Sequence, residues 1–231
     1  MKKMKQKFLA SAIALSALAS TAVIPAANAA EVSASVSAAN MYYWRGLDLG
    51  NGDPAIIGDV NISEAGFYTG LWASSGDAAL GTEWDFYAGY GFDAGPVSVD
   101  LNYTTYMYPS LEEPIGFNDV SDVAVTLGFA ASEDLSFKAM YRHGLSDLGD
   151  IDYSYATLSA SLKSVTLLVG MHSDDEMEAG DASVDGLTHI DLSYAYNENL
   201  AFTLGKVIDD VDGAYNDEVK FVVTLSLPIG E

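Results

Sequence analysis

Charged and polar side chains recur at every second position in several segments, and these are the residues whose chemistry could serve a function. In the segment 82–93 (TEWDFYAGYGFD), Glu83 and Asp85 alternate with Trp84 and Phe86. Successive side chains of a β-strand point to opposite faces, so one face is polar and the other apolar. Acids on a polar face attract cations, and opposed bases set up a transverse field. The candidates for such a lining are Arg45, Glu83, Asp85, Asp100, Asn102, Lys138, Arg142, His189 and Asp191.

The same charges have a second interpretation, in which they pair with one another inside a closed interior. Arg45 could line the mouth of a pore or cap acidic loop ends, and both interpretations remain open. Asp191 shares a face with His189, which suits catalysis or a structural hydrogen bond equally. Only His143, His172 and His189 could act as histidine bases, and no nucleophile motif surrounds a serine. The sequence therefore predicts no enzymatic activity and no cofactor.

Two-residue alternation is repeated along the chain and predicts about twelve β-strands. One strand, 82–93, carries aromatic residues at both ends of its apolar face, as a strand crossing a bilayer does. The predicted strands are 32–44, 54–64, 67–74, 82–93, 97–108, 119–131, 133–143, 151–162, 165–172, 187–196, 200–208 and 218–229.

Short and long connections alternate strictly between these strands. This is the pattern of an outer-membrane barrel with short periplasmic turns and longer external loops. A secreted β-sandwich also has many alternating strands, but it requires neither aromatic strand ends nor alternating loop lengths. The sequence predicts an all-β protein, a transmembrane antiparallel β-barrel of about twelve strands in contact with outer-membrane lipid. It leaves the oligomeric state open.

The first 29 residues have the features of an export signal. Four lysines precede the apolar stretch 8–24, and Ala27-Asn28-Ala29 is a small-x-small cleavage site. We expect a cleaved signal peptide at 1–29 and a single barrel at 30–231. The chain would then pass through the periplasm to the bacterial outer membrane.

Composition excludes several kinds of partner. The chain has 33 acidic and 10 basic residues and a formal net charge of −23, which argues against nucleic acid. It has no cysteine, so disulfides and thiolate metal sites are excluded. The segment containing Asp210, Asp212, Gly213 and Glu218 is superficially similar to a calcium loop. Ile208 stands where the first aspartate belongs, so no metal site is predicted.

A family resemblance lies between Asn40 and Ser75. An aromatic cluster is followed by Arg45-Gly46, a proline enters the second strand, and Gly66-Phe67-Tyr68 opens the third. The Tyr106-x-Tyr108-Pro109 motif fits the same pattern. These segments resemble the TorF-type porins, a family without a catalytic signature. The resemblance implies an outer-membrane barrel that forms a pore.

Two functions follow as expectations. The first is a channel for passive diffusion of small hydrophilic solutes or ions, with a preference for cations. The alternative is a closed or plugged barrel that serves as a structural or surface-interaction protein. Conductance separates the two, because only the first passes solute.

Overall fold

The computed structural model describes residues 30–145, 153–174, 178–179, 182–210, 213 and 215–230. The predicted signal peptide lies outside the described residues. Twelve strands build the main sheet: β1 Glu31–Ala39, β2 Ala55–Glu64, β3 Phe67–Asp77, β4 Gly81–Ala94, β5 Val97–Tyr108, β6 Ile115–Ala130, β7 Leu135–Gly144, β8 Ser154–Leu162, β9 Val165–Ser173, β10 Thr188–Ala195, β11 Leu200–Asp209 and β12 Lys220–Pro228.

The twelve strands form a closed antiparallel barrel, which confirms the predicted fold class. Each strand pairs with its neighbours in the chain, and β1 pairs with β12 to close the sheet. Most strands have the nine or more residues that a tilted strand needs to cross a bilayer. In the described part of the chain, no helix is both long enough and apolar enough to span a membrane.

The two faces of the barrel wall differ in polarity, as the alternation predicts. In β4, Trp84 is 40% exposed on the outside, whereas Asp85 on the inside is 4% exposed. The same outward exposure recurs at Leu127, Phe129 and Tyr141. An apolar band of this extent is stable only against lipid, and closure leaves no unpaired strand edge in the bilayer.

Turns of two to four residues join the strands at one end of the barrel, and the longer connections lie at the other end. The predicted strict alternation is wrong at one place, because only residues 78–80 join β3 to β4 at the end with the longer connections. We call these ends the turn end and the loop end. The turn between β2 and β3 consists of Ala65 (φ 51°) and Gly66 (φ 89°). Positive φ at both positions defines a type I′ turn, whose twist matches that of the flanking strands.

The predicted first strand, 32–44, is wrong at its end. β1 ends at Ala39, and residues 40–54 fold back into the barrel. The connection 45–53 between the first two predicted strands was expected to be an external loop, and this prediction is wrong as well. We call residues 40–54 the inner loop. Within it, Tyr43–Trp44 pairs with Leu47–Asp48 as a short antiparallel hairpin. The two tyrosines of this loop face the lumen because acceptors for their hydroxyl groups lie there.

An apolar cluster packs the inner loop inside the loop end. Leu47 contacts a group of buried side chains that comes from three other parts of the chain. The buried members are Leu47, Tyr153, Tyr155, Val184, Leu187 and Val207. Burial of this group stabilises the folded-in position of the loop.

Candidate pore and its closed end

All nine predicted lining residues have their side chains inside the barrel. Arg45 lies on the inner loop, and the others lie on β4, β5, β7 and β10. Toward the loop end, Glu83, Asp85, Arg142, His189 and Asp191 are buried. Toward the turn end, Asn102 is buried, Asp100 is half-buried and Lys138 is exposed to the lumen. Their contribution to a pore stays a prediction.

Arg45 is held at the centre of the loop-end lumen and is 1% exposed. Its two terminal nitrogens donate to the hydroxyls of Tyr153 (2.6 Å) and Tyr106 (3.2 Å). The guanidinium also lies 4.3 Å from the ring centre of Trp44, within range of a cation–π contact. Arg45 therefore neither lines an open mouth nor caps a loop end. It binds the inner loop to the barrel wall.

Asp122 on β6 is shared by two guanidinium groups. Arg142 donates to Oδ1, and Arg45 Nη2 lies 3.8 Å from Oδ2. The hydroxyl of Tyr106 donates to Oδ2 at 2.7 Å. Both arginines and Asp122 are almost fully buried. One carboxylate thus stabilises two buried positive charges, an arrangement that fails if its charge is lost.

Two histidines complete the hydrogen bonds around the inner loop. His172 Nε2 lies 2.8 Å from the carbonyl oxygen of Arg45 and must donate, because a carbonyl only accepts. His172 Nδ1 lies 3.1 Å from the Tyr153 hydroxyl. His189 joins Asp191 through Nδ1 (3.2 Å) and Tyr155 through Nε2 (2.7 Å). Both side chains are fully buried. His172 bonds to the inner loop directly, whereas His189 bonds to the wall residues Asp191 and Tyr155.

Two tyrosines tie the inner loop to opposite walls. Tyr42 donates to Glu83 on β4, and Tyr43 donates to Asp191 on β10 at 2.6 Å. β4 and β10 are six strands apart in the twelve-stranded barrel, so the loop crosses the lumen from one side to the other. Burial raises the pKa of the Tyr43 hydroxyl, and the Asp191 carboxylate raises it further. Tyr43 therefore keeps its proton and remains a donor.

The loop-end lumen is closed around its whole circumference. Buried side chains from eleven strands surround the inner loop and leave little accessible surface there. The inward residues concerned are Ala39, Ala55, Ser74, Glu83, Asp85, Asp122, Arg142, Tyr155, His172, His189, Val207 and Val222. In this conformation the inner loop blocks the outer half of the barrel.

The turn-end lumen is open to water, and we call it the cup. Its carboxylates are held by tyrosines: Tyr68 donates to Asp100 at 3.0 Å, and Tyr87 donates to Asp59 at 3.0 Å. Hydroxyl groups cover the other wall, with the pairs Ser37–Ser226, Ser161–Thr166 and Ser193–Thr203 within hydrogen-bond distance. Most inward side chains here are half-buried or exposed.

Gly205 on β11 gives the ring of Tyr43 the space it needs. A Cβ at this position would lie 2.0 Å from the Tyr43 hydroxyl oxygen. We expect Gly205→Ala to displace that hydroxyl from Asp191 and to lower the free energy of unfolding by about 1–3 kcal/mol, as overpacking does.

Urea unfolding of the refolded barrel, followed by tryptophan fluorescence, measures this effect. Gly58→Ala is the matched control, because a Cβ at Gly58 meets nothing within 4 Å. Equal stability of the two variants would contradict the packing of Tyr43 against Gly205.

Sequence reasoning selected Arg45, Glu83 and Asp191, which fix the inner loop, but it did not identify their partners. Tyr42 and Tyr43 stood in a predicted strand, Tyr153 was assigned no role, and His172 was considered only as a histidine base. Asp122 could have been found, because it falls in phase with the inward positions 124 and 126 of β6. Among the described residues, no group of three or more histidine, aspartate or glutamate side chains could hold a metal ion. The calcium-like segment is only partly described, since Asp212 lies outside.

Comparison with known proteins gives similar barrels. The KdgM porin has a TM-score of 0.48 and 10% identity, and the match covers 87% of this chain and 99% of that chain. The KdgM porin in complex with disordered oligogalacturonate has a TM-score of 0.47 at the same identity and coverage. OccK10 (OpdN) of Pseudomonas aeruginosa has a TM-score of 0.42 and 11% identity, with 87% of this chain and 70% of that chain covered.

No curated protein sequence matches the chain. A family model does match, over residues 24–184, and its description is a bacterial protein of unknown function (Gcw_chp). The matched part is well over half of the 231 residues and includes the inner loop with its partners Glu83, Tyr106, Asp122 and Tyr153. The chain therefore belongs to the Gcw_chp family of bacterial proteins.

Proposed function

We propose that this protein is an outer-membrane channel for small hydrophilic solutes and that the inner loop closes its outer end. One observation carries the proposal: a closed barrel with an apolar outer band encloses a polar lumen whose turn-end half is open to water. A barrel that served only as an anchor would have no need of a water-filled cup. The resemblance to TorF-type porins supports the same function.

The expected orientation places the turn end in the periplasm and the loop end outside the cell. In that orientation the cup opens to the periplasm, and the inner loop lies between the cup and the external medium. The proposal includes export through a signal peptide at 1–29, with residues 30–231 as a single barrel. Solute would pass when the inner loop moves away from the lumen axis.

The contacts of the inner loop are compatible with such movement. Polar bonds join it to the wall, and the apolar cluster around Leu47 and the ring contacts of Tyr42 and Trp44 add to them. The loop begins after Ala39 and ends before Ala55, and these two residues pair directly between β1 and β2. The loop can therefore leave the lumen without separating any strands of the barrel.

The alternative is a permanently closed barrel that acts as a structural or surface protein. The complete burial of Arg45, Arg142 and both lumen histidines favours it. The two functions differ in one measurable property, because a permanently closed barrel never conducts.

Single-channel recording of the refolded mature chain in planar bilayers tests the channel. We expect long closed intervals interrupted by discrete openings, because the described conformation is closed. The predicted cation preference remains a prediction, and the potassium-to-chloride reversal potential of the same openings measures it. Correctly folded barrels that never open, even when the inner loop is removed, would contradict the channel.

A further inference from the structure

Lys138 carries the one positive charge of the cup among the described residues. It lies on the inward face of β7 and is exposed to the lumen. Within the described part of the chain, Lys138 forms no ion pair, taken as a nitrogen–oxygen distance of 4.0 Å or less. Its ammonium group, with three donors, therefore faces water in the lumen.

Asp100 supplies a negative charge on the same side of the cup. Lys138 on β7 pairs with Gly128 on β6, and Gly128 pairs with Ser98 on β5. Asp100 lies two residues after Ser98 and points to the same face of the sheet. The Cα atoms of Lys138 and Asp100 are thus two strand spacings and two residue positions apart, about 12 Å. Each charge lies within electrostatic range of the other. The two side chains form an open charge pair, close but not in contact.

One oxygen of Asp100 lacks a donor. Oδ1 accepts from Tyr68 at 3.0 Å, whereas Oδ2 is buried and has no hydrogen bond. Buried polar atoms in proteins are nearly always bonded, so this oxygen is an acceptor with unused hydrogen-bonding capacity. Tyr68 fixes the carboxylate, and Asn102 in turn donates to Tyr68 at 3.1 Å.

We propose that Lys138 and Asp100 form a binding site in the cup for small zwitterionic solutes of the amino-acid type. The solute carboxylate contacts the Lys138 ammonium, and the solute ammonium donates to Asp100 Oδ2. This inference rests on the proposed channel function and names the class of solute for it.

The charges in the cup favour a zwitterion over either simple ion. An anion bound at Lys138 experiences the negative charge of Asp100, and a cation bound at Asp100 experiences the positive charge of Lys138. A zwitterion places each of its charges beside the opposite charge of the wall. The hydroxyl wall of Ser159, Thr166 and Ser193 is uncharged and adds no competing charge.

Lysine-selective NMR tests the site directly. Reductive methylation with ¹³C-formaldehyde labels the lysines of the mature barrel in detergent micelles and keeps their positive charge. The Lys138 signal is assigned by its loss in Lys138→Gln. Glycine, acetate and methylammonium are then titrated separately. We expect the Lys138 signal to shift saturably with glycine and to require roughly tenfold more acetate for the same shift.

Asp100→Asn tests the second half of the site. We expect it to weaken glycine binding by about tenfold, because the solute ammonium loses its charged partner, and to strengthen acetate binding. Asp134→Asn is the matched control, since Asp134 pairs with Lys163 on the outside of the barrel at the turn end. It should leave both titrations unchanged, and the Lys163 signal should not move with glycine.

Two results would overturn the site: no shift of the Lys138 signal, or equal responses to glycine and acetate that Asp100→Asn does not change. The second result would describe a plain anion site. Because the titration needs no conductance, the site and the channel can fail separately. A saturable glycine shift in a barrel that never conducts contradicts the channel only, and a conducting barrel without the shift contradicts the site only.

Discussion

Removal of the inner loop is expected to raise the single-channel conductance of the barrel by at least about tenfold, because it unblocks the outer half of the lumen. The variant replaces residues 40–54 by a linker of about four glycine and serine residues. Such a linker can close the connection because Ala39 and Ala55 are directly paired and hairpin loops of two to five residues are common.

The matched control shortens the connection between β5 and β6 at residues 111–113, which lie at the loop end outside the lumen. This control should keep the conductance of the unaltered chain. Heat-modifiable migration on gels shows whether each variant forms a barrel, so misfolding is separated from closure. Folded barrels with the same low conductance in both variants would mean that the inner loop is not the barrier.

Neutralising Asp122 should cause the largest loss of stability of any single substitution in the lumen. Asp122→Asn leaves Arg45 and Arg142 as buried positive charges without a carboxylate between them. Breaking a buried pair in this way typically costs about 3–5 kcal/mol. Urea unfolding of the barrel in lipid vesicles, followed by tryptophan fluorescence, measures the difference.

Two further variants make this result specific. Asp134→Asn removes an exposed ion pair (3.8 Å from Lys163, with side chains 61% and 70% exposed) and should change stability by no more than about 1 kcal/mol. Adding Arg142→Gln to Asp122→Asn removes one of the unpaired charges and should restore part of the loss. Equal effects of Asp122→Asn and Asp134→Asn would show that Asp122 does not hold the two arginines.

The barrel could be predicted from the sequence because lipid and lumen impose a simple rule on each strand. Trp84 faces lipid and Glu83 faces the lumen, and this alternation is visible without knowledge of any distant residue. Turn chemistry is equally local, as Ala65-Gly66 shows. The strand number and most of the alternation of connections therefore followed from short segments.

The closed end could not be predicted in the same way, because distant residues determine it. Tyr42 bonds to Glu83, 41 positions away, and Arg45 to Tyr153, 108 positions away. In the sequence, the cluster Tyr42-Tyr43-Trp44 has the composition of a strand end at a membrane interface. Only the partners inside the barrel distinguish a ring that faces lipid headgroups from one that fills a lumen.

The pairing of β1 with β12 has a consequence for the assembly of the protein. The seam joins Ser35–Ala39 to Thr224–Pro228 over five residue pairs, whereas β1 and β2 share nine. Contacts between such distant parts of a chain form slowly, and unpaired edge strands invite aggregation. Before β12 pairs with β1, the sheet has two unpaired edges: one is β1, and the other is the last strand added so far. The cell must therefore protect a nearly complete sheet from other chains, and the last strand decides whether a barrel or an aggregate results.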